Sequence, residues 1–140
     1  MAVQKKTDYS GTPLYRKLGI KEESAVLLAG APPEFERTLG SLPAGAEIVA
    51  DPAGSVDVVL LFVTQEEELE RRFAELAGRV SPAGGLWVLW PKKSSKIPND
   101  LSFEAVQKTG LHAGLVDNKS CSVDTDWQAL RFVYRKKDRK

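Results

Sequence analysis

The chain has 140 residues, 42% hydrophobic and 28% charged, with a formal net charge of +1, the make-up of one folded domain rather than of a disordered or fibrous chain. No apolar run approaches the roughly 18 residues that span a bilayer, and the lysine-bearing start MAVQKKTDYSG has no apolar stretch behind it, so neither a membrane segment nor a signal peptide is expected and a cytoplasmic address follows. A single cysteine, Cys121, and a single histidine, His112, exclude an internal disulfide and a structural zinc site, and no metal is expected.

The first predicted element lies in TPLYRKLG. Thr12 can cap a short helix, Pro13 fits its first turn, and Gly19 can take the left-handed closing position. Residues 24–30, SAVLLAG, form a continuous apolar run of the kind buried on both faces of a parallel sheet. Pro33 can open a helix through Phe35 and Leu39 that ends near Leu42. AEIVAD, residues 46–51, reads as a short second strand tipped by Asp51. Residues 56–64, VDVVLLFVT, are the most apolar segment and should be the central strand.

Thr64 and Glu67 match a capping box for the next helix, whose apolar face would carry Leu69, Phe73, Leu76 and Val80. SPAGG reads as a turn into a fourth strand, LWVLW, that Pro91 ends. Ser102 can cap a helix over FEAVQKT, with Gly110 as its stop. GLVDNKSCSVD and WQALRFVYRK are two β-type stretches around an Asp-Thr-Asp turn, an antiparallel pair. The expected organisation is an N-terminal segment with a short helix (1–23), one α/β domain (24–136) and a basic tail (137–140). Residues 1–20 carry four basic and one acidic side chain, 21–81 five and twelve, and 82–140 eleven and six. Those basic ends lack the interleaved aromatics of a nucleic-acid surface, so nucleic acid is not an expected partner.

The order of elements, with DVVLLFV followed by RVSPAGGLWVLW, is similar to the class I S-adenosylmethionine-dependent methyltransferase fold, shortened by one strand beyond AEIVAD. That resemblance implies a Rossmann-like three-layer α/β fold, its mostly parallel sheet of about six strands ordered 2-1-3-4-6-5 and ending in an antiparallel hairpin. The YSGTPL-type start, the strand before Ala-Pro, the WPKKSS loop and the ending GLVDNKSCSVDTDWQALRFVYRK also resemble a bacterial family of short proteins of unknown function. This second likeness covers nearly the whole chain and implies no activity.

An S-adenosylmethionine site needs a glycine-rich turn after the first strand and an acid after the second. Here the turn is AGAPPEF: Gly30 alone remains, and two prolines remove N–H donors. Asp51 stands where a ribose-binding acid would, although an Asp before Pro52 equally starts a turn. The central strand ends in FVTQEEE, without the polar Pro-Pro-Tyr ending of amino-group methyltransferases. No cofactor is therefore expected, S-adenosylmethionine included, and a non-catalytic domain acting by binding or association is the leading expectation. Methyl transfer is the third reading, behind anion binding.

Cys121, in a strand-like stretch without a CxxC partner, reads as a small core residue, and His112 as a ring at a helix end. Asp117, Asp124 and Asp126 read as turn and surface carboxylates. The remaining candidate is WPKKSSK. Lys92, Lys93, Ser94, Ser95 and Lys96 follow the carboxyl end of a strand, where open α/β sheets bind ligands, and their ammonium and hydroxyl groups could hold a phosphate or carboxylate. Gly30, Asp51, Tyr9 and Ser10 are the other candidate contacts of a small anionic ligand. The plain alternative is a solvated loop whose lysines keep a buried strand soluble. Self-association through the sheet edge left by the missing strand is a further expectation.

Overall fold

The structure is a computed structural model that describes residues 13–49 and 54–138. Tyr9, Ser10, Thr12 and Asp51, with the tip of the AEIVAD stretch, lie outside the described residues. The elements are α1 (Leu14–Lys17), β1 (Ala25–Ala29), α2 (Phe35–Leu39), β2 (Glu47–Val49), β3 (Val56–Phe62), α3 (Glu66–Ala77), β4 (Val80–Pro91), α4 (Phe103–His112), β5 (Leu115–Ser122) and β6 (Trp127–Tyr134), followed by a 3₁₀ turn, Lys136–Asp138.

One sheet of six strands runs β2-β1-β3-β4-β6-β5. β2, β1, β3 and β4 are parallel, and β6 pairs antiparallel with both β4 and β5. This is the expected α/β architecture and strand order. Strand alternation sorts the apolar residues into two cores. Val59, Leu61 and Val63 face one side with Leu69, Phe73 and Leu76 of α3 and Val106 of α4. Val58, Leu60 and Phe62 face the other with Leu18, Phe35 and Leu39. Burial on both faces is why β1, β3 and β4 read as unbroken apolar runs. Trp87 belongs to the second core, and its indole N–H donates to the Leu18 carbonyl at 2.8 Å, which ties the segment after α1 to the sheet.

Five local expectations are corrected. The capping box at α3 does not form: Gln65 holds the cap position without a side-chain bond, and Asp100 Oδ1 accepts the Glu66 N–H at 2.8 Å. A carboxylate carried in by a distant loop has displaced the local cap. Val80 is not on α3, which ends at Ala77; Arg79 N–H closes onto the Leu76 carbonyl and Val80 opens β4 opposite Val56.

SPAGG is not a turn but part of β4. Residues 56 and 58 of β3 face residues 80 and 85 of β4, so the extra length bulges. A side chain at Gly85 would overlap the Arg131 guanidinium. Gly110 does not stop α4: it lies inside the helix, where a Cβ would overlap the Phe132 ring, and the chain turns instead at Gly114, φ +92°. α2 likewise ends at Leu39, before the expected Leu42, because Gly40 takes φ +80°. Among the described residues no helix is long and apolar enough to cross a membrane.

Candidate functional site

The carboxyl ends of β1, β3 and β4 share one edge of the sheet, and two loops leaving that edge differ in construction. After β1 the chain turns at Gly30, with φ +74° and an ideal Cβ only 2.9 Å from the Phe62 carbonyl oxygen. The glycine is thus required both by its own dihedral and by the close pass of β3. Pro32 and Pro33 follow without N–H groups, and the Phe35 N–H is already bonded to the Pro32 carbonyl at 3.0 Å.

After β4 the loop is stapled at several points. Lys92 N–H donates to the Asp126 carbonyl at 2.8 Å, extending the β4–β6 edge by one bond. Ser95 Oγ donates to Asp126 Oδ1 at 2.9 Å and accepts the Ile97 N–H at 3.1 Å. Asp124 in turn accepts the N–H groups of Asp126 and Trp127, both at 2.9 Å, and so shapes the β5–β6 turn that the loop grips. Asn99 Oδ1 accepts from Leu101 N–H at 3.0 Å, and the Asp100 N–H donates to the Thr64 carbonyl at 3.2 Å. The path ends at Ser102, whose hydroxyl accepts the Ala105 N–H at 3.1 Å and caps α4 as expected.

This framework holds open a cleft of about 500 Å³ whose lining includes Trp90, Lys92, Lys93, Asn99, Ser102 and Phe103. A second cleft, about 310 Å³, shares Trp90, Lys92, Phe103 and Gln128 with the first and adds Ser120, Cys121 and Ser122 of β5. Gln128 Nε2 donates to the Pro91 carbonyl at 3.1 Å and fixes the wall between them. Lys92 is half-buried there; its Nζ donates to Ser122 Oγ at 2.6 Å, and among the described residues no carboxylate lies within ion-pairing distance of it.

The structure therefore separates the loop's candidate residues. Lys92 and Lys93 line the first cleft, whereas Ser95 is spent on Asp126, and Ser94 and Lys96 are exposed and line neither cleft. Gly30 sits on the same edge but two strand spacings from β4, roughly 10 Å across the sheet, and lines neither cleft. Asn99, Ser102, Phe103 and Gln128 complete the site and were not among the candidates. Ser102 alone had a signal, its position as a helix cap just after the lysines.

The other titratable candidates are placed elsewhere. His112 is exposed at the last residue of α4, and Asp117 accepts from Gln107 Nε2 at 3.3 Å. Burial pushes the Cys121 thiol above its ordinary value, against a smaller lowering by Lys17 and Lys119.

Residues 36–136 match the model of a protein family of unknown function, DUF3052. The chain belongs to that family. No curated protein matches it in sequence. Its fold is that of solved methyltransferases. A S-adenosylmethionine-dependent methyltransferase from Aquifex aeolicus is 16% identical over 91% of this chain and 94% of its own, with a TM-score of 0.57. The magnesium protoporphyrin IX methyltransferase of Synechocystis PCC 6803, solved with bound SAH, is 11% identical over 87% of this chain and 78% of its own, TM-score 0.55. A TehB-like S-adenosylmethionine-dependent methyltransferase from Corynebacterium glutamicum is 11% identical over 81% and 82%, TM-score 0.56. At these identities the likeness establishes the sheet and its layers.

Proposed function

We propose that this protein is a non-catalytic binding domain on a methyltransferase-type scaffold, and that it holds a small anionic ligand in the cleft at the carboxyl end of β4. The observation that carries this reading is Lys92: a half-buried side chain that lines a cleft, whose ammonium meets a neutral hydroxyl and has no carboxylate partner among the described residues. Lys93 adds a second positive charge to the same cleft, and the Ser102 and Asn99 side chains add polar groups that could orient an oxyanion.

The turn after β1 supports a reading without S-adenosylmethionine. A cofactor of that kind takes backbone N–H donors and close backbone approach from a glycine-rich turn. Here Gly30 is occupied with passing Phe62, two prolines lack the donor, and the Phe35 N–H is bonded within the turn. The described turn thus offers few of the donors that such a cofactor takes.

The test is a titration with inorganic phosphate and with acetate at constant ionic strength, followed by backbone amide NMR. Saturable shifts around Lys92, Lys93 and Ser102 are expected, and they should vanish in a Lys92→Ala/Lys93→Ala protein. Shifts that persist in that variant would remove the anion site. Micromolar affinity for S-adenosylmethionine by calorimetry would overturn the non-catalytic half of the reading.

A further inference from the structure

The lysines explain an acid; they do not explain the other wall of the cleft. Phe103 is 44% exposed, one of two large apolar side chains so exposed among the described residues. It is also the first residue of α4, held in place by the Ser102 cap behind it. Its ring stands 6.5 Å from Trp90, tilted by 55°, and Trp90 itself is 3% exposed, so a fixed indole backs a half-open phenyl ring. Leu101 continues the same apolar wall. Trp90, Phe103 and Lys92 line both clefts.

An exposed aromatic ring beside a cleft offers apolar area that a flat ligand would bury. A freely hydrated inorganic anion would use the lysines and leave the ring bare. A ligand that carries an acid at one end and a planar apolar body at the other would use both, and a volume of about 500 Å³ accepts such a molecule.

Building on the anion-binding reading above, we infer that the ligand is a small aromatic carboxylic acid, its carboxylate at Lys92 and Lys93 and its ring against Phe103 and Trp90. The geometry makes the acid and the ring additive requirements. The carboxylate is drawn by the two lysines that line the cleft. The ring packs on Phe103, which Trp90 backs and beside which Leu101 adds aliphatic carbon.

Three probes separate the two requirements on the full chain: benzoate, acetate and benzyl alcohol, each titrated at constant ionic strength and pH 7 with amide NMR as the readout. Benzoate is expected to bind about tenfold more tightly than acetate, from stacking and apolar burial together, and benzyl alcohol to bind more weakly than benzoate. Phe103→Ala should cut benzoate affinity several-fold and leave acetate unchanged; Phe103→Leu, which keeps the apolar contact without the ring, should fall between. Equal affinities for benzoate and acetate, with no effect of Phe103→Ala, would overturn the aromatic ligand while leaving the anion site standing. Benzyl alcohol binding as tightly as benzoate would overturn the acid requirement and the anion reading with it. Benzoate binding that survives Lys92→Ala/Lys93→Ala would do the same.

Discussion

The two loops at the carboxyl edge of the sheet start from equivalent places, one strand apart from β3 on either side, and have been built to opposite ends. The β1 turn is short, poor in donors and drawn tight against Phe62. The β4 loop is long, stapled to the β5–β6 turn and to α3, and held away from the sheet so that lysines and an aromatic ring surround open space. On a scaffold whose topology favours ligands along that edge, the described residues place two cleft-lining lysines beside β4 and none at the β1 turn. Closure at one end and opening at the other are both made from backbone geometry, so both can be broken by single substitutions.

Closure should be the more costly to disturb. Gly30→Ala puts a Cβ at a positive φ and within 2.9 Å of a backbone oxygen that cannot move without β3. A loss of about 2 kcal/mol is expected in denaturant unfolding, with benzoate shifts at the β4 cleft unchanged. Altered binding there would mean that the two ends are coupled rather than merely different. Opening of the β4 side is tested next by Ser95→Ala, which removes the hydrogen bond to a carboxylate and leaves the Ile97 N–H without its acceptor. About 1.5 kcal/mol should be lost, and here the shifts around Lys93 and Asn99 should broaden, because the loop that frames the cleft has lost its anchor.

The contrast was only half legible in the sequence. Gly30 followed by two prolines was visible as a turn without donors, and the lysines after Pro91 were visible as charge at a strand end. The layers came through because burial on both faces leaves unbroken apolar runs, and the strand order came from the resemblance of the element order to the methyltransferase fold. What stayed hidden was made by residues far apart in the chain. Ser95 looked like a ligand-binding hydroxyl and is spent on Asp126, 31 positions away. The α3 cap comes from Asp100, 34 positions from the N–H it accepts, whereas the local window offered Thr64 and Glu67. Gly110 looked like a helix stop because a packing glycine and a closing glycine are the same letter; only the Phe132 ring across from it distinguishes them. Phe103 carried no signal at all, since a phenylalanine early in a helix ordinarily packs into a core.

Asp100 links the open loop to α3, and Asp100→Ala should cost about 1 kcal/mol, measured by urea unfolding. Amide exchange should quicken in the first turn of α3 rather than at α2. A smaller effect is expected at Lys93, which is exposed and lacks an ion-pair partner among the described residues. Lys93→Ala should leave stability within about 0.5 kcal/mol and weaken benzoate roughly threefold at low salt, the difference shrinking as salt is added because an exposed charge is screened.

The finest probe of how enclosed the β4 side is comes from Cys121, which borders the second cleft. Burial holds its thiol above the ordinary value, and the nearby Lys17 and Lys119 offset part of that rise. Only the thiolate attacks iodoacetamide, so alkylation of the folded protein should be slower than that of a free thiol at pH 8 and should keep accelerating above the pH at which a free thiol levels off. The same shift sets a sign for stability. The folded state keeps the proton longer than the unfolded one, so the contribution is fully present below the unfolded thiol's pKa and is lost as pH rises through the folded value. Cys121→Ser should therefore flatten a small alkaline decline in stability. An alkylation profile that coincides with that of a free thiol would show this flank of the cleft to be open to water, and the enclosure that sets the β4 side apart from the β1 turn would then end at Trp90 and Phe103.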